Sequence, residues 1–410
     1  MPIRVEGHMR KKIVVLGSNF GGLTAAIAVK HDLAGDVDVT VISPSDRFVF
    51  NPSLIWLPFG KRSADDITFP VAPTFEEHGV DFVHAPATEL ELAQNRVLTT
   101  QGPYSYDYLV IATGYQNKYD VVPGLGPGGN AYNITSLQDA IEAGEGWRKF
   151  LEKPGPVVVG ATQGAGCFGA AYEYLFNVSH QLRKNKIKSR VPMTFISPEP
   201  MLGHFGIGGL KHGESLLEMF VKKEKIDTRV NVSVDHVDEG RVVLKDGASI
   251  DFAYAMLIPP FIGQDVIAKA VEISDEKGYV KVRDTYQTEA YDNVYAVGIA
   301  AAVAVPWTTA NPVGVPKTGF PTEQQAHIAA KNIGHQVRGE QPTEHKEFGD
   351  IKAVCVMDAG NNGVVMLADH MLPAKRKHSV MIPGPQAHLM KLAFEKYFIW
   401  KVKNGHVALP

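Results

Sequence analysis

The sequence has almost no cysteine, no long apolar run and no strong net charge. Its two cysteines among 410 residues cannot build a disulfide scaffold, so a bridge between them would serve catalysis or regulation. No apolar run reaches the roughly 18 residues that would span a bilayer, and the first 12 residues lack the apolar core of a signal peptide. The formal net charge of −3 gives no indication of a nucleic-acid partner, and we predict neither nucleic acid nor metal.

What is present is the composition of an ordinary globular protein. Hydrophobic residues make up 45% and charged residues 21% of the chain, which is enough for a sizeable core and, at this length, for two or three domains. The C-terminal segment departs from this balance. From residue 370 to residue 410 there are seven lysines or arginines (375, 376, 377, 391, 396, 401 and 403) against one acid, Glu395.

Large apolar residues are interspersed with these charges, a composition typical of a segment that lies at a membrane surface. An alternative is that a C-terminal helix covers the rest of the chain, or a partner subunit, with an apolar face. That face would consist of Leu389, Leu392, Phe394 and Phe398.

The first fifty residues have the pattern of a nucleotide-binding βαβ unit. Residues 13–16 are all apolar, as expected of a parallel strand covered on both faces. A turn with glycines at positions 17, 21 and 22 follows, then a helix to about residue 30 and a second strand at residues 37–42. The first N–H groups of such a helix bind pyrophosphate, although glycine-rich turns also occur without a ligand.

Two distant segments strengthen the prediction of a dinucleotide cofactor. Residues 112–114 follow an apolar strand and resemble the Ala-Thr-Gly signature of flavoproteins with two dinucleotide-binding domains. Residues 295–298 resemble their second flavin signature, in which an acid normally follows the glycine. We therefore predict bound FAD. The predicted FAD-binding residues in these segments are Gly17, Asn19, Phe20, Gly21, Gly22, Ser43, Ala112, Thr113, Gly114, Gly298 and Ile299.

A second glycine-rich turn begins at Gly160 and contains the first cysteine, Cys167. In a typical reductase of this architecture the turn would bind NAD(P)H, but Cys167 and Phe168 crowd the place where bare amides should face the cofactor. The next strand ends without a clear ribose-binding carboxylate, although Glu199 could serve. The interpretation is a domain that keeps its fold and uses its dinucleotide site to hold a thiol.

The second cysteine, Cys355, follows a short apolar strand predicted at residues 351–355. A flavoprotein with two thiols 188 positions apart (355 − 167) suggests redox chemistry on sulfur. The alternative is two unrelated buried thiols, because free cysteine packs like a small hydrophobic residue.

The order of these motifs predicts an α/β fold with two nested Rossmann-like domains and a C-terminal membrane-associating region. Residues 10–115 and 285–340 would form the FAD-binding domain, and residues 116–284 the second Rossmann-like domain with Cys167. Residues 345–410 would form the C-terminal region, with Cys355 and the basic segment.

Further segments resemble those of one family, the sulfide:quinone oxidoreductases, which are membrane-bound flavoproteins. The most specific are Leu-Gly-His-Phe-Gly at residues 202–206 and Pro-Lys-Thr-Gly at residues 316–319. Other matching segments are residues 164–173, 258–261 and 394–398. Together with the flavin segments, the resemblance covers nearly the whole chain.

The resemblance implies that Cys167 and Cys355 form a redox pair on one face of the flavin. HS⁻ would attack the bridge between them, leaving a persulfide on Cys167 and a thiolate on Cys355, next to the flavin. Two electrons would pass through FAD to a quinone, and sulfide would become polysulfide. Many members have a third cysteine where this chain has residues 133–135, Asn-Ile-Thr. The chain is therefore a two-cysteine variant, and covalent attachment of FAD is left open.

The resemblance also assigns charged residues near the flavin. Glu173 resembles the family's acid/base, with an exposed helix glutamate as the alternative, and His204 is a candidate proton relay or a structural histidine. Lys317 and Lys391 resemble lysines beside the flavin pyrimidine, where a cation stabilises the reduced ring. Both could instead be solvated charges.

A quinone would reach the flavin from the membrane. The residues predicted to line its passage are Phe320, Pro316, Phe394, Tyr397 and Phe398. The chain is accordingly expected to be a peripheral, monotopic protein of a prokaryotic cytoplasmic membrane, with its side and any homo-oligomer left open.

Three other functions compete with this one. A type II NADH:quinone oxidoreductase has the same architecture without sulfur chemistry, and NADH would reduce its FAD. The flavoprotein subunit of a sulfide dehydrogenase would normally be exported. A flavin-binding regulatory protein would leave both cysteines, Glu173 and the basic tail unexplained.

Overall fold

The computed structural model describes residues 10–316 and 318–409. Up to residue 115 the chain forms the larger part of a first α/β unit. Its elements are β1 (Lys11–Leu16), α1 (Phe20–Leu33), β2 (Val37–Ser43), β3 (Arg47–Val49), α2 (Ala64–Ile67), β4 (Thr68–Pro70), α3 (Ala72–Glu77), β5 (Asp81–His84), β6 (Ala87–Glu91), β7 (Arg96–Thr99), β8 (Gly102–Ser105) and β9 (Tyr108–Ile111).

The chain then forms a second α/β unit. Its elements are β10 (Gln116–Asn117), α4 (Leu137–Glu152), β11 (Val157–Ala161), α5 (Phe168–Lys184), β12 (Met193–Ile196), α6 (Gly213–Lys223), β13 (Ile226–Arg229), β14 (Val234–Asp238), β15 (Arg241–Leu244), β16 (Ser249–Asp251), β17 (Tyr254–Ile258), β18 (Phe261–Ile262) and α7 (Asp265–Ala268).

The remaining chain returns to the first unit and then forms a separate C-terminal region. Its elements are β19 (Val294–Ala296), α8 (Gly319–Val337), β20 (Ala353–Asp358), β21 (Gly363–Ala368), β22 (Ser379–Pro383) and α9 (Pro385–Lys403).

The first sheet has five parallel strands in the order β19-β9-β1-β2-β5. All four residues from Ile13 to Leu16 in β1 are buried, because helices and loops cover both faces of the sheet. Strand β19 joins this sheet from beyond the second unit, so the first unit is built from two separated stretches of chain. Helix α1 packs against α8 on one face.

The second sheet is also parallel, in the order β13-β12-β11-β17. Strands β14, β15 and β16 form a small antiparallel sheet beside it. The predicted α/β fold with two nested Rossmann-like units is thereby confirmed. The carboxyl ends of β1 and β11 each lead into a glycine-rich turn and a helix, which is where such folds bind ligands.

The C-terminal region is a three-stranded antiparallel sheet, β20-β21-β22, with α9 packed on β20 and β21. Cys355 in β20 lies opposite Met366, and Met366 lies opposite Met381. Since side chains alternate between the two faces of a strand, Val354 points to the other face of the sheet. Cys355 packs on the protein core, whereas Val354 is exposed.

One predicted strand differs in its position. The strand predicted at residues 351–355 is β20, so Cys355 lies inside the strand rather than after it. Farther back in the chain, residues 230–233 separate β13 from β14. Asn231 has a left-handed backbone, with φ +58°, and this turns the chain between the two strands.

Only half of the predicted apolar face of the C-terminal helix packs on the core, namely Leu392 and Phe398. Helix α9 buries Phe398, which is 2% exposed, but Leu389 is 64% and Phe394 44% exposed. Spacings of four and three residues place Lys391 and Glu395 on the same inward face as Phe398. The helix therefore packs through buried charges as well as through apolar side chains.

Two basic residues of the predicted membrane segment are also unavailable to a membrane. Lys391 pairs with Glu173, and Lys401 Nζ lies 2.9 Å from Glu323 Oε1. Both lysines are buried, and the carboxylates of Glu173 and Glu323 compensate their charges inside the protein. Across residues 10–316 and 318–409, none of the helices is both long and apolar enough to cross a bilayer.

Candidate active site

Three glycines bring the predicted flavin segments of the first unit together. Gly17 has φ +104°, and a Cβ there would lie 2.3 Å from the carbonyl oxygen of Ala112. A Cβ on Gly22 would lie 1.8 Å from the carbonyl oxygen of Gly17, and one on Gly21 would lie 3.2 Å from Val297. At Gly17 and Gly22 only glycine allows such a close approach to the backbone. The turn after β1 therefore touches the ends of β9 and β19 and forms one cradle with them.

The cradle fits a dinucleotide cofactor. The N–H groups of Phe20, Gly21 and Gly22 lie in the first turn of α1, where a helix offers them no internal acceptor. Thr113 Oγ1 is buried and has no hydrogen-bond partner among the described residues. The next residue, Gly114, has φ +69° and faces open space. Free amides and an unsatisfied hydroxyl beside open space are groups that the phosphates and ribityl chain of FAD would satisfy.

Two of the predicted FAD contacts have protein partners instead. The buried Ser43 hydroxyl accepts hydrogen bonds from Ser18 Oγ at 3.0 Å and from the N–H of Ser45 at 3.1 Å. The N–H of Gly298 donates to Gln325 Oε1 at 2.6 Å. These residues therefore brace the cradle, and the sequence offered no signal for Gln325.

Asn19 and Ile299 occupy the two places where the flavin motifs depart from the usual pattern. Asn19 is the N-cap of α1, and its side chain donates to Asn51 Oδ1 at 3.3 Å. Ile299 lies in a short 3₁₀ turn, Gly298–Ala300. Neither side chain brings a charge to the cradle.

The second glycine-rich turn uses its amides internally. The N–H of Gly164 donates to the carbonyl of Pro312 at 2.8 Å, and that of Gly166 to the carbonyl of Pro259 at 3.3 Å. The ring of Phe261 covers Gly166 so closely that a Cβ there would lie 1.8 Å from it. Amides that are already bonded and covered cannot hold a pyrophosphate.

Glu199, the other candidate nucleotide contact, points into the protein. Its carboxylate accepts hydrogen bonds from Ser197 Oγ at 2.7 Å, from Tyr172 Oη at 2.9 Å and from the N–H of Phe205 at 2.5 Å. Burial raises the pKa of Glu199 to about 7, while these hydrogen bonds oppose the rise. With three protein donors, Glu199 holds the loop of His204 and is not available to a ribose.

Cys167 is the N-cap of α5 and is partly exposed. Burial raises the pKa of its thiol, and the backbone N–H groups of Ala170 and Gly169 act in the opposite direction. The negative charge of Glu173 raises this pKa further. In a dinucleotide-binding protein the N-terminus of α5 would face a pyrophosphate. Here it faces the sulfur of Cys167, and the positive end of the helix stabilises the thiolate form of that sulfur.

Cys355 lies near the same charges. Burial raises the pKa of its thiol to about 12, and Glu173 contributes to the rise while Lys391 opposes it. The negative charge of a Cys167 thiolate also raises the pKa of Cys355. Both are free in this structure. Helix α5 packs on β20, so the two elements that carry the cysteines are in contact.

A buried ion pair lies beside the thiols. Glu173 Oε1 accepts a hydrogen bond from Lys391 Nζ and another from the N–H of Asp358 at 2.7 Å. Burial raises the pKa of Glu173, and the Lys391 ammonium opposes this. Lys391 Nζ also lies 5.3 Å from the ring centre of Trp56. The sequence predicts Lys391 as a flavin contact. In the structure its direct partner is Glu173.

Two residues that the sequence did not single out complete this part of the site. The buried Asp358 carboxylate accepts from Trp56 Nε1 at 2.8 Å and bonds with His388 Nδ1 at 2.5 Å. Asn177 joins α5 to β20 through the backbone carbonyl of Asp358. Asp358 lies three residues after Cys355, which is a usable signal, but nothing in the sequence marks Asn177.

His204 lies in the loop after β12, which is tied to α5 by a hydrogen bond from the N–H of Gly203 to Tyr172 Oη. It is buried, its ring meets Trp307 edge-on with centroids 4.9 Å apart, and its Nδ1 has no hydrogen-bond partner in the described part of the chain. Burial lowers the pKa of His204. Its loop also approaches Pro316, since a Cβ on Gly206 would lie 2.9 Å from Pro316 Cδ. Lys317 lies outside the described residues.

Comparison with known proteins identifies the family. The profile of a family described as pyridine nucleotide-disulphide oxidoreductase matches residues 11–330. The sulfide-quinone reductase of Aquifex aeolicus (strain VF5) is 34% identical over 407 residues, which is 98% of this chain and 93% of the relative. The X-ray structure of the sulfide:quinone oxidoreductase from Aquifex aeolicus has a TM-score of 0.92, covering 97% of this chain and 93% of that one. The chain belongs to the sulfide-quinone reductase family.

This membership confirms the resemblance drawn from the sequence and implies a flavin cofactor. A type II NADH:quinone oxidoreductase of Staphylococcus aureus (strain MSSA476) is less similar, at 25% identity over 386 residues, 90% of this chain and 92% of its own. The fold is common to both kinds of protein, so the residues of the site must distinguish them.

In this sulfide-quinone reductase family member, two of the predicted quinone residues lie beside the flavin cradle. The ring of Phe398 lies 5.0 Å from that of Phe20 in the first turn of α1 and 5.4 Å from that of Phe50. Phe394 lies 5.9 Å from Phe50. Of the other three, Tyr397 faces Trp400 on α9 and Pro316 adjoins the His204 loop. Phe320 is half-buried at the start of α8 and follows Gly319, where a Cβ would lie 3.1 Å from the ring of Phe20.

Replacing Gly22 by alanine should remove the flavin. The new Cβ would collide with the carbonyl of Gly17 and displace the first turn of α1. Gly35→Ala is the control, because a Cβ there has no neighbour within 4 Å. The ratio of flavin to protein absorbance in the purified proteins measures the effect. Equal flavin content in wild type and Gly22→Ala would refute this cradle as the binding site.

Replacing Glu173 by glutamine should speed alkylation of Cys355. Loss of the carboxylate charge lowers the pKa of the thiol, and each unit raises the thiolate fraction about tenfold at a pH well below the pKa. The measurement is the rate at which iodoacetamide labels the Cys355 peptide of the reduced protein, followed by mass spectrometry. Glu340→Gln, at an exposed carboxylate, should leave the rate unchanged. A slower or unchanged rate in Glu173→Gln would contradict the electrostatic coupling.

Proposed function

We propose that this protein oxidises sulfide to polysulfide with Cys167 and Cys355 as its redox pair, and passes the electrons through bound FAD to a quinone. The sulfide-quinone reductases supply the class of reaction. The observation that carries the proposal for this chain is the contact between α5 and β20, the two elements with the cysteines, at the buried Glu173–Lys391 pair.

The sulfur step needs only groups that this chain contains. HS⁻ attacks one sulfur of a Cys167–Cys355 bridge; the new S–S bond forms a persulfide as the old one breaks, and the other cysteine leaves as a thiolate with the electron pair. The Lys391 cation favours that thiolate, because it lowers the pKa of both thiols. Glu173, with its raised pKa, is suited to take the proton of the persulfide.

Which cysteine takes which part follows from two different arguments. The family resemblance places Cys355 next to the flavin and the persulfide on Cys167. Electrostatics favours the opposite assignment, in which Cys167 leaves as the thiolate. Backbone N–H groups stabilise the thiolate of Cys167 and not that of Cys355. The proposal keeps the assignment from the resemblance.

FAD, when bound, would supply a two-electron acceptor that can reduce a quinone. Phe20, Gly21, Gly22, Thr113 and Gly114 would hold it, because their amides and the Thr113 hydroxyl face the cradle. The aromatic cluster of Phe394 and Phe398 reaches this cradle from α9. It would form an apolar wall for a quinone ring arriving beside the flavin.

Oxidation of NADH is the second candidate, since type II NADH:quinone oxidoreductases have the same fold. Two observations weigh against it. The amides of Gly164 and Gly166 are bonded to protein carbonyls under the ring of Phe261. Glu199 is fully engaged by protein donors. A nicotinamide dinucleotide would have to break these contacts in order to bind.

The exposed face of α9 supports peripheral attachment to a membrane. Leu389 and Trp400 are 64% and 49% exposed, and they share one face of the helix with Lys396 and Lys403. A face with exposed apolar and cationic side chains binds a lipid surface without spanning it. The proposal therefore rests on the exposed apolar residues, rather than on the number of basic residues in the tail.

An anaerobic titration tests the reaction. Sulfide should bleach the bound flavin, NADH should not, and a soluble quinone should restore the flavin spectrum. Cys167→Ser and Cys355→Ser should each slow bleaching by sulfide by at least about a hundredfold, because a nucleophile and its bridge are lost together. Bleaching by NADH, or normal bleaching by sulfide in either serine variant, would refute the proposed function.

A flotation assay tests the membrane contact. Leu389→Glu combined with Trp400→Glu should reduce co-flotation with anionic liposomes, because charge replaces apolar area on the exposed face of α9. Turnover with a soluble quinone should be kept. Met219→Glu, an equally exposed apolar position on α6, is the matched control. Equal flotation of the double variant and the wild type would place the membrane contact elsewhere.

A further inference from the structure

We infer that Asn177 is a positioning residue: it clamps the helix of Cys167 to the strand of Cys355 and so sets how readily the two thiols link. The inference rests on the proposed function, because it concerns the same two thiols. It adds a residue that touches neither sulfur and acts through the helix that it holds.

The clamp consists of one buried amide that bridges two backbone carbonyls. Asn177 is 1% exposed, and its Nδ2 donates to the carbonyl of Glu173 at 2.9 Å and to the carbonyl of Asp358 at 2.9 Å. Glu173 lies one turn earlier on α5, whereas Asp358 is the last residue of β20. The amide therefore joins the helix to the strand across 181 positions of sequence.

A second hydrogen bond also joins Asp358 to α5. The N–H of Asp358 donates to Glu173 Oε1 at 2.7 Å, so both backbone groups of Asp358 are bound to α5. The Asp358 carboxylate is fixed in turn by Trp56 Nε1 and His388. Since Asp358 is anchored to these separate parts of the chain, Asn177 ties α5 to a fixed point rather than to a free strand end.

The position of the clamp explains why it should matter to the thiols. Asn177 is ten residues beyond Cys167 on α5, about 15 Å along the helix axis. Asp358 is three residues beyond Cys355 on β20. A helix that tilts about its far end moves its N-terminus, and a disulfide forms only within a narrow range of separations between the two cysteines. Holding two reacting groups in place raises their effective concentration.

The thiol–disulfide equilibrium measures this effect directly. Reduced, sulfide-free holoprotein is equilibrated without oxygen in buffers of defined ratios of reduced to oxidised glutathione. Each thiol loses a proton, one S–S bond forms between Cys167 and Cys355, and the S–S bond of oxidised glutathione breaks to give two molecules of reduced glutathione. Alkylation and intact mass then give the fraction of bridged protein.

The chain contains a matched control. Asn332 on α8 is also fully buried, and its Nδ2 bridges two carbonyls, those of Thr285 at 3.1 Å and Glu344 at 2.7 Å. It lies on α8, which packs on α1 in the first unit. Replacing Asn332 therefore removes the same kind of buried amide without touching the contact between α5 and β20.

Asn177→Ala should lower the equilibrium constant for bridging by about tenfold, the size expected if loss of the clamp lowers the effective concentration of one thiol at the other by that factor. Asn177→Leu, which keeps the side-chain volume, should do the same if the alanine variant does not fold. Asn332→Ala and Asn332→Leu should match the wild type in bridging, even where their melting temperatures fall.

Folded Asn177 variants with a wild-type equilibrium constant would overturn the inference, and so would an equal fall in the Asn332 variants. In either case Cys167 and Cys355 would still link in the wild type, and the proposed function would stand. A wild type whose two thiols never link would overturn the redox pair itself, together with the role of the clamp.

Discussion

The packing of α5 on β20 is the contact on which the site depends. These two elements come from different parts of the chain, and each carries one thiol close to its contact with the other. What joins them is polar and buried: the carboxylate of Glu173, the backbone of Asp358 and the ammonium of Lys391 from α9. Burying such groups is costly unless every one is paired. The same pairing that holds the elements together also places a proton acceptor and a cation beside the two sulfur atoms.

The second Rossmann-like unit shows how a binding site can change its ligand while its fold is kept. The N-terminus of α5 retains the amides and the dipole that favour a negative charge, but the group that it faces is now the sulfur of Cys167. The neighbouring amides of Gly164 and Gly166 are bonded to protein carbonyls, and Glu199 is turned inward to brace a loop. These three groups, which could contact a nicotinamide dinucleotide, therefore have partners within the chain.

Part of this structure could be predicted from the sequence, because it depends on local patterns. The turn with Gly17, Gly21 and Gly22 has a spacing that only a strand–turn–helix unit explains, and Cys167 follows a turn of the same kind. The buried face of helix α9 could not be predicted in this way, since Lys391 and Glu395 interrupt it and conceal the apolar periodicity. The role of Asn177 could not be predicted from the sequence either, because a hydrogen bond across 181 positions leaves no local signal.

The central claim is that the fold brings both thiols to one face of a bound flavin. It is tested most directly by a crystal structure of the flavin-containing protein after exposure to sulfide, with the sulfur atoms located by their anomalous scattering. The account predicts Cys167 Sγ and Cys355 Sγ on the same side of the isoalloxazine ring, joined directly or through added sulfur atoms. A structure with either sulfur on the opposite side of the ring, or too far away to be joined to the other, would contradict it.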